Sequence, residues 1–530
     1  MKIKTVFGFF LALLLSSCTF DLPTFDSTSS STSSNQSSSQ SSSQISTDSE
    51  ITSDSSTSNN KPKYATIFSI NDLHGSLDVD TSDETSIEPG IARLKKAIES
   101  DPDYDKDSSI IVSAGDSWQG GYLSFKNKNL TDELLGDMGV KAMTIGNHEF
   151  DWGVSTIEAL SETSPFPFLA CNILDYNNKQ VTWAKPSYSY TTPSGVKYGL
   201  IGAIGPGEES DILSSNIDGY TFTSATSYID NEITKLKEAN CDLIFLVVHD
   251  GVTDSNGYIN NLGNKYNLDS GINGIIGAHT HQSEKQKVGT LPYVQAGSNS
   301  KYYGKIKTSL STKSVVSYGS YSATSYASLP DSDLDQTIIA KINEANTSYQ
   351  SLVEMNSEFD STFRRYYELN KWIPSAMLYE AKKQGWGLSY SKNELIAVHN
   401  LAGIRSNISK GKAIRKTLFK ASPFNNALKV IKNISGSTIR NWMGEDDSDK
   451  TNTTTYNCYD TESSSFDENK TYDLLTIDFL STSNYFHIKG TQFALNTTAN
   501  TDVYMPDAVL DYVEESGISV FNASDYDVRK

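Results

Sequence analysis

Short apolar runs alternate with amphipathic segments between residues 64 and 310, and this pattern predicts the secondary structure. The runs predict strands at residues 64–70, 109–114, 140–145, 168–173, 196–204, 241–248, 274–278, 291–296 and 303–310. Helical periodicity lies between them at residues 90–99, 131–138 and 225–239. Strands that alternate with helices at this spacing predict βαβ units and an α/β fold.

The start of the chain departs from this pattern. Residues 1–18 have a basic start and an apolar core too short to span a bilayer, which predicts an export signal. The run Leu15-Ser16-Ser17-Cys18 resembles the bacterial lipobox, and this implies a lipid on the sulfur of Cys18; a plain secretory signal is the alternative. Residues 19–61 are rich in Ser and Thr and predict a disordered tether with a reach of roughly 35–40 Å. We therefore expect an exported protein, lipid-anchored to the cell membrane and facing outside the cytoplasm.

Chain length limits the number of domains, and the net charge limits the classes of partner. The 530 residues leave room for two or three domains. A formal charge of −20 disfavours nucleic-acid polymers as partners, although metal ions could supply local positive charge for small phosphate esters. The four cysteines show no zinc-knuckle or disulfide spacing.

Polar side chains cluster directly after the predicted strands. The chain has seven histidines, and five of them follow such a strand, as do two aspartates and an asparagine: His74, His148, His249, His279, His281, Asp72, Asp116 and Asn147. These residue types suit divalent transition metals, and the absence of Cys among them disfavours a closed structural zinc site. They exceed the needs of one ion, so we expect two ions that share a carboxylate.

The segment Gly146–Gly153 contains several candidate functional side chains close together in sequence. Asn147 offers an amide oxygen for a cation, His148 could act as an acid or base, and Asp151 could orient it. A strand-to-turn junction with a capping Asn and an incidental His is the alternative.

Five motifs together resemble the calcineurin-like metallophosphoesterases, and the 5′-nucleotidase family in particular. They are Asn71-Asp72-Leu73-His74-Gly75, Gly115-Asp116, Gly146-Asn147-His148-Glu149-Phe150-Asp151, His249-Asp250-Gly251 and Gly277-Ala278-His279-Thr280-His281. The resemblance implies a metallophosphoesterase β-sandwich flanked by helices (α/β/β/α) at residues 62–325. A bridging helix at 326–355 and a smaller α/β substrate domain at 356–530 would follow.

The same resemblance implies a role for each motif residue. One ion takes Asp72, His74, Asp116 and His281, and the other takes Asp116, Asn147, His249 and His279. Asp116 bridges the two divalent ions, which could be Mn, Zn or Fe. His148 stabilises or protonates the leaving group, and Asp151 orients His148.

The second half resembles the substrate domain of this family less closely. The implied substrate-binding residues are Arg365, Asn400, Arg405, Phe424 and Tyr485. Forked hydrogen bonds from Arg suit phosphate or ribose hydroxyls, but surface ion pairing is the alternative for both arginines. Tyr485 could equally be a core or surface aromatic. Ala402 stands where the family has a glycine, and the family's first base-stacking aromatic has no counterpart between Arg440 and Lys470. The base-binding part of the site thus departs from the family pattern, whereas the metal-binding motifs do not.

The sequence thus predicts a surface-anchored dinuclear-metal phosphohydrolase acting on nucleoside 5′-monophosphates or related small nucleotides. Its other substrates could be 2′,3′-cyclic nucleotides, nucleotide-sugars or non-nucleotide esters. A non-catalytic surface binding protein that retains the fold is the alternative of another class.

Overall fold

The computed structural model describes residues 61–83, 85–254, 256–386, 393–443, 458–461, 467–482 and 498–526. These residues all belong to one unit, Asn59–Lys530. The predicted export signal with Cys18, the tether up to residue 60, and Tyr485 lie outside the described residues.

The first lobe alternates strands and helices, as the apolar pattern predicts. Its strands are β1 (Tyr64–Ile70), β2 (Ile110–Ser113), β3 (Val140–Thr144), β4 (Phe168–Leu169), β5 (Ile173–Leu174), β6 (Ser187–Thr191), β7 (Lys197–Ile204), β8 (Thr221–Phe222), β9 (Leu243–His249), β10 (Gly274–Gly277), β11 (Ser283–Val288), β12 (Leu291–Ala296), β13 (Tyr302–Ser309) and β14 (Val315–Ser322). Its helices are α1 (Ile91–Glu99), α2 (Tyr122–Lys126), α3 (Leu130–Met138), α4 (Val154–Thr163), α5 (Thr226–Glu238), α6 (Tyr258–Lys265) and α7 (Gln336–Ser348).

Two six-stranded mixed sheets form the centre of this lobe. One has the order β14-β13-β1-β2-β3-β4 and the other β11-β12-β10-β9-β7-β6. The strands β1 to β4 run parallel, as do β7, β9, β10 and β12. Parallel strands buried on both faces require continuous apolar runs, and β9 is buried at every position.

Three apolar cores hold the layers together. Ile67, Val112, Leu200 and Phe245 belong to the core between the two sheets. A second core packs α1, α3, α4 and α7 on the first sheet, and a third packs α5 and α6 on the second sheet. The predicted α/β/β/α sandwich is therefore confirmed.

The second lobe is a smaller α/β unit with its own core. Its strands are β15 (Glu354–Phe359), β16 (Leu395–His399), β17 (Gly411–Ile414), β18 (Ala427–Ser435), β19 (Cys458–Thr461), β20 (Thr471–Ile477), β21 (Thr498–Tyr504) and β22 (Val520–Phe521). Its helices are α8 (Leu369–Lys383), α9 (Arg415–Ala421), α10 (Gly436–Met443), α11 (Asp478–Thr482) and α12 (Met505–Glu515). The sheets have the orders β19-β16-β20-β18-β21 and β17-β15-β22.

Charged and aromatic contacts join the lobes. Lys420 Nζ of α9 lies 2.7 Å from Asp80 Oδ2 and 2.8 Å from Glu88 Oε2. Phe419 packs against the rings of Tyr122 and Phe125 of α2 at 5.5 and 5.0 Å. These contacts bring the second lobe over the strand ends of the first.

Two predicted elements differ from the structure. The run 168–173 is not one strand, because β4 pairs with β3 whereas β5 pairs with β8 in a separate ribbon. The bridging helix predicted at 326–355 is shorter, because α7 has Asp335 as its N-cap, whose side chain accepts bonds from Thr337 N and Ile338 N, and ends at Ser348. Within the described ranges, no helix combines the length and apolar character needed to cross a membrane.

Candidate metal centre and substrate site

The first cluster of predicted ligands joins β1 to β10. Asp72 and His74 follow β1, and His281 follows β10; their ligand atoms lie within 4.8 Å of one another. His74 Nε2 is 2.8 Å from His281 Nε2, and His281 Nε2 is 3.7 Å from Asp72 Oδ1. Side chains from both sheets thus converge at the carboxyl ends of parallel strands, where α/β proteins bind ligands.

The second cluster joins β2, β3, β9 and β10. The ligand atoms of Asp116, His249 and His279 lie within 4.8 Å of one another. Asn147 Oδ1 is 3.1 Å from both His249 Nε2 and His279 Nδ1. The structure therefore brings together all seven residues predicted as ligands.

Asp116 lies between the clusters. Its Oδ2 is 3.2 Å from His249 Nε2, yet it is buried and without a hydrogen-bond partner in the described part of the chain. Burial raises the pKa of Asp72 in one cluster, and the negative charge of Asp116 adds to this effect. Burial lowers the pKa of His249 in the other cluster, but the charge of Asp116 and of other carboxylates outweighs it and raises the value above normal. This position fits the bridging role predicted for it.

Backbone conformation brings these ligands together, in a way that the sequence pattern does not predict. The period of two of a strand predicts that Asp72 and His74 share a side. Both instead follow the end of β1 with φ of 47° and 49°. Asp116 has a φ of 54°, in the same left-handed region. Several such residues at one place indicate backbone strain concentrated at a functional site.

Glycines permit the close approach of the loops. A Cβ on Gly146 would lie 2.3 Å from Asp116 Oδ1 and 2.6 Å from His249 Cε1. Gly115 has a φ of 100°, and a Cβ there would lie 2.7 Å from His249 Nδ1. The Gly-Asp and Gly-Asn-His motifs thus require glycine, because a side chain at either position would clash with neighbouring residues.

Hydrogen bonds from Nδ1 fix the orientation of two of the imidazole rings. His249 Nδ1 donates to Ala114 O at 2.8 Å, and His74 Nδ1 donates to Gln119 O at 3.1 Å. Both rings therefore direct Nε2 toward the clusters, as metal-binding histidines do. Sequence reasoning missed the contribution of Gln119, because a backbone carbonyl leaves no signal in residue type.

Glu149 is a further residue that sequence reasoning missed. Its Oε2 accepts from Asp116 N and Gly146 N at 2.8 Å, and its Oε1 accepts from Ser117 N at 2.7 Å. It thereby joins the loop that carries Asp116 to the loop that carries Asn147. Burial raises the pKa of Glu149 to about 7. Its place inside the Gly-Asn-His-Glu motif was the available signal.

His148 and Asp151 form a pair beside the clusters. His148 Nδ1 lies 2.7 Å from Asp151 Oδ2, and His148 N donates to Asp116 Oδ1 at 2.9 Å. Burial lowers the pKa of His148, but the charges of Asp151 and Asp116 outweigh it and raise the value above normal. The pair has the geometry of an oriented acid or base.

The second lobe adds Arg405, Phe424 and Asn400 to the same site. Arg405 Nη2 lies 3.4 Å from His74 Nε2, and its guanidinium lies 5.5 Å from the centre of the Phe424 ring. The Phe424 ring is 5.5 Å from the His148 ring. Asn400 Oδ1 is buried without a hydrogen-bond partner among the described residues.

Two cavities meet at this point. One of about 280 Å³ is lined by Asn400, Arg405 and Phe424 together with His148 and Asp116. Arg365 lines the other, of about 520 Å³, which also contacts Arg405 and Phe424. Arg365 and Asn400 thus line different cavities, and the backbone N of Arg365 donates to Asn407 Oδ1 at 2.8 Å.

The donor set fits divalent metal ions. Asp72 and Asp116 are buried carboxylates, and burial raises the pKa of Asp72 to about 7 in the absence of a cation. Imidazole nitrogens, carboxylates and one amide converge on them, a combination that suits Mn, Zn or Fe. The buried Asp116 Oδ2 without a hydrogen-bond partner is further support, because a bound cation would compensate it.

Comparison with known proteins gives two family matches. Residues 65–283 match the calcineurin-like phosphoesterase family, and residues 346–462 match the 5′-nucleotidase C-terminal domain. The endonuclease YhcR of Bacillus subtilis (strain 168) is 24% identical over 71% of this chain and 32% of its own length. The chain thus spans about a third of that relative.

Similarity to 5′-nucleotidases extends over most of both chains. The 5′-nucleotidase of Rattus norvegicus is 24% identical over 71% of this chain and 70% of its own. The crystal structure of a 5′-nucleotidase precursor from Thermus thermophilus has a TM-score of 0.67 and 17% identity, covering 87% of this chain and 99% of that one. The chain is therefore similar to calcineurin-like phosphoesterases over residues 65–283 and to the C-terminal domain of 5′-nucleotidases over residues 346–462.

Proposed function

We propose that the protein is a metal-dependent phosphoric ester hydrolase that releases phosphate from nucleoside 5′-monophosphates or related small nucleotides. The observation that carries this proposal is the approach of Arg405 to within 3.4 Å of His74, a predicted metal ligand. A phosphate-binding guanidinium from one lobe thus faces the ligand clusters of the other.

Two divalent ions fit the clusters. Asp72, His74 and His281 would hold one ion, and Asn147, His249 and His279 would hold the other, with Asp116 shared. When bound, such a pair supplies the Lewis acid that polarises a phosphoryl group and acidifies a water.

His148 is positioned to serve the leaving group. Its Nδ1–H donates to Asp151 Oδ2 at 2.7 Å, so the proton that the charged ring can transfer is the one on Nε2. His148 lines the cavity of about 280 Å³ with Phe424. A proton on Nε2 can then pass to the departing ester oxygen, while the Asp151 carboxylate holds the ring in place.

The second lobe supplies the contacts to the rest of the substrate. Arg405 binds the phosphate or a ribose hydroxyl, Asn400 offers an amide oxygen to a hydroxyl, and Phe424 offers a face to the base. Arg365 lines the neighbouring cavity, where it reaches substrate groups that extend beyond the nucleoside.

The activity test uses the full chain loaded with Mn²⁺. We expect phosphate release from AMP, UMP or GMP, and loss of this release with excess chelator. Hydrolysis of 2′,3′-cyclic nucleotides, nucleotide-sugars or aryl phosphate with no release from these monophosphates would replace the nucleotide assignment. Failure of every ester would favour the non-catalytic binding protein.

Surface anchoring is a separate part of the proposal. The lipobox-like run ending at Cys18 and the polar tether after it support an exported, lipid-anchored protein. Metabolic labelling with a fatty acid should tag the wild type but not the Cys18→Ala variant. Equal labelling of the two would contradict the anchor without affecting the proposed chemistry.

A further inference from the structure

Three carboxylates form a group next to the metal centre that the proposed reaction does not use. Glu208 begins a short 3-10 helix after β7, while Asp250 and Asp254 follow β9. One carboxylate oxygen of each lies within 4.8 Å of the others. We call these three residues the acidic cluster.

Burial makes the acidic cluster unusual. Asp250 is 0% exposed and Glu208 is 3% exposed. No Lys or Arg in the described part of the chain forms an ion pair with any of the three. Buried carboxylates are costly unless a cation compensates them.

Asp250 gives a second observation that supports cation binding at the acidic cluster. Its Oδ2 accepts from Asn256 Nδ2 at 3.1 Å, but its buried Oδ1 has no hydrogen-bond partner among the described residues. Asp250 contributes to the group of convergent ligand atoms. A buried carboxylate oxygen of this kind needs a partner, and a cation would provide one.

His279 does not balance this charge. Its Nδ1 lies 2.9 Å from Glu208 Oε2 and its Nε2 lies 3.9 Å from Asp254 Oδ2. Three carboxylates therefore face at most one imidazolium. His279 Nδ1 also lies 3.1 Å from Asn147 Oδ1 in the predicted metal centre.

We propose that Glu208, Asp250 and Asp254 form a third cation site, separate from the dinuclear centre and selective for a hard ion of the Ca²⁺ class. All three ligands are carboxylates, and Ca²⁺ accepts oxygen ligands in flexible geometry. The nitrogen donors that suit Mn, Zn or Fe are concentrated in the neighbouring clusters instead.

The ion would join two segments of the first lobe. Glu208 lies on the segment after β7, and the two aspartates lie on the segment after β9, directly beyond His249. Asn256 Nδ2 already links these segments, because it is 3.1 Å from Asp250 Oδ2 and 3.4 Å from Pro206 O. The site would thus stabilise the surroundings of His249 and His279 and reduce the negative charge that an incoming phosphate ester meets.

Equilibrium dialysis of radioactive Ca²⁺ into the full chain, with its metal centre saturated by Mn²⁺, tests the proposal. We expect one Ca²⁺ per chain with Mn²⁺ content unchanged, and a rise in the melting temperature on adding Ca²⁺. Asp250→Asn and Asp254→Asn should each weaken Ca²⁺ binding by at least about tenfold, since even outer-shell changes cost that much, and should abolish the thermal response.

Controls separate this site from general effects. Asp254 is partly exposed, so its variant keeps the test valid if Asp250→Asn fails to fold. Asp269 is exposed and outside the acidic cluster, so Asp269→Asn should bind Ca²⁺ as the wild type does. Absence of Ca²⁺ binding, binding only with loss of Mn²⁺, or full binding by Asp254→Asn would each overturn the proposal. None of these readouts depends on which ester is hydrolysed.

Discussion

His74 Nε2 and His281 Nε2 lie 2.8 Å apart, although 207 positions separate the two residues in sequence. His74 donates from Nδ1 to Gln119 O, so its Nε2 presents a lone pair toward His281. Burial and the neighbouring ring lower the pKa of His74 well below its usual value. Two convergent imidazole nitrogens beside the buried Asp72 carboxylate are the arrangement expected around a metal ion.

Removal of one of these rings should remove one ion. We expect His281→Ala to lower the metal content by about one ion per chain and kcat/KM by about a hundredfold or more, because an ion supplies several kcal/mol of charge stabilisation. Elemental analysis of the purified chain measures the first effect, and phosphate release measures the second. The exposed neighbour Gln282→Ala is the control. A fully metallated His281→Ala enzyme would contradict the assignment of His281 as a ligand.

His148 should affect turnover without affecting metal content. It is not a predicted ligand, and its ring is held by Asp151 at 2.7 Å. We expect His148→Ala to lower kcat by about 10²–10⁴-fold, the usual contribution of a positioned acid or base, while the metal content stays at the wild-type level. Asp151→Asn should give a smaller loss, since the imidazole remains. Near-wild-type kcat in His148→Ala would exclude the role of this residue in leaving-group protonation.

Glu149 should support the metal centre through the backbone. Its two oxygens accept three backbone N–H groups, so Glu149→Gln replaces one acceptor by an NH₂ group that faces a donor. We expect a loss of about 1–3 kcal/mol in the free energy of unfolding and weaker metal binding. Urea unfolding and metal titration measure these effects. Exposed Glu99→Gln is the control, and unchanged metal affinity in Glu149→Gln would contradict the positioning role.

The location of the predicted ligands at strand ends could be read from the sequence, because the His, Asp and Asn residues concerned follow apolar runs. His249 is the last residue of a buried parallel strand and Asn147 follows another, and the carboxyl ends of such strands meet at one edge. The predicted set of ligands could therefore be read from position alone. The turns that bring Asp72 and His74 into the same cluster were not predictable, because their left-handed backbone conformation depends on bonds to another loop, such as Asp72 N to Gly115 O at 3.0 Å.

Contacts between segments that are distant in sequence could not be predicted from the sequence. Glu208 lies in a polar stretch with no motif, and only folding places it 2.9 Å from His279. Likewise, no periodicity indicated that the 168–173 run would divide between two sheets. Arg405 was found through its motif, but its approach to His74 depends on how the lobes pack.

Lys420 should control the stability of the lobe junction. It lies within 2.8 Å of the buried carboxylates of Asp80 and Glu88, and removing it leaves both without their cation. We expect Lys420→Met to lower the free energy of unfolding by about 3–5 kcal/mol at pH 7. The control is Lys410→Met, an exposed lysine in the same lobe, and a loss as small as that of the control would contradict this account.

The pH dependence of that variant has a defined sign. In the wild type, burial raises the pKa of Asp80, but Lys420 outweighs it and holds the value below the ordinary range. This contribution is present above the unfolded pKa of about 3.9 and is lost only as the pH falls below it. Without Lys420, burial alone acts on Asp80 and raises the pKa of its carboxyl. The stability lost in Lys420→Met should therefore be partly regained, relative to the wild type, as the pH falls from 7 to 5. Thermal unfolding at both values measures this.

His399 should make the second lobe sensitive to mild acid. It is 2% exposed at the end of β16, and its Nδ1 donates to Asn400 O at 2.8 Å. Burial lowers the pKa of His399 to about 4. The unfolded chain binds a proton near pH 6.5, whereas the folded chain does not, so stability falls as the pH drops from 6.5 toward 4.

Replacement of His399 by glutamine removes the titrating imidazole and keeps an N–H donor, from the side-chain amide, for Asn400 O. We expect the wild type to lose about 2 kcal/mol more than His399→Gln between pH 7 and pH 5, because each unit of pH in that window changes stability by about 1.4 kcal/mol per proton. Urea unfolding of both proteins at the two pH values measures the difference. The comparison cancels the titration of other groups, since these are common to both chains. An identical pH slope in the two proteins would show that His399 is charged in the folded state or solvated, contrary to its burial.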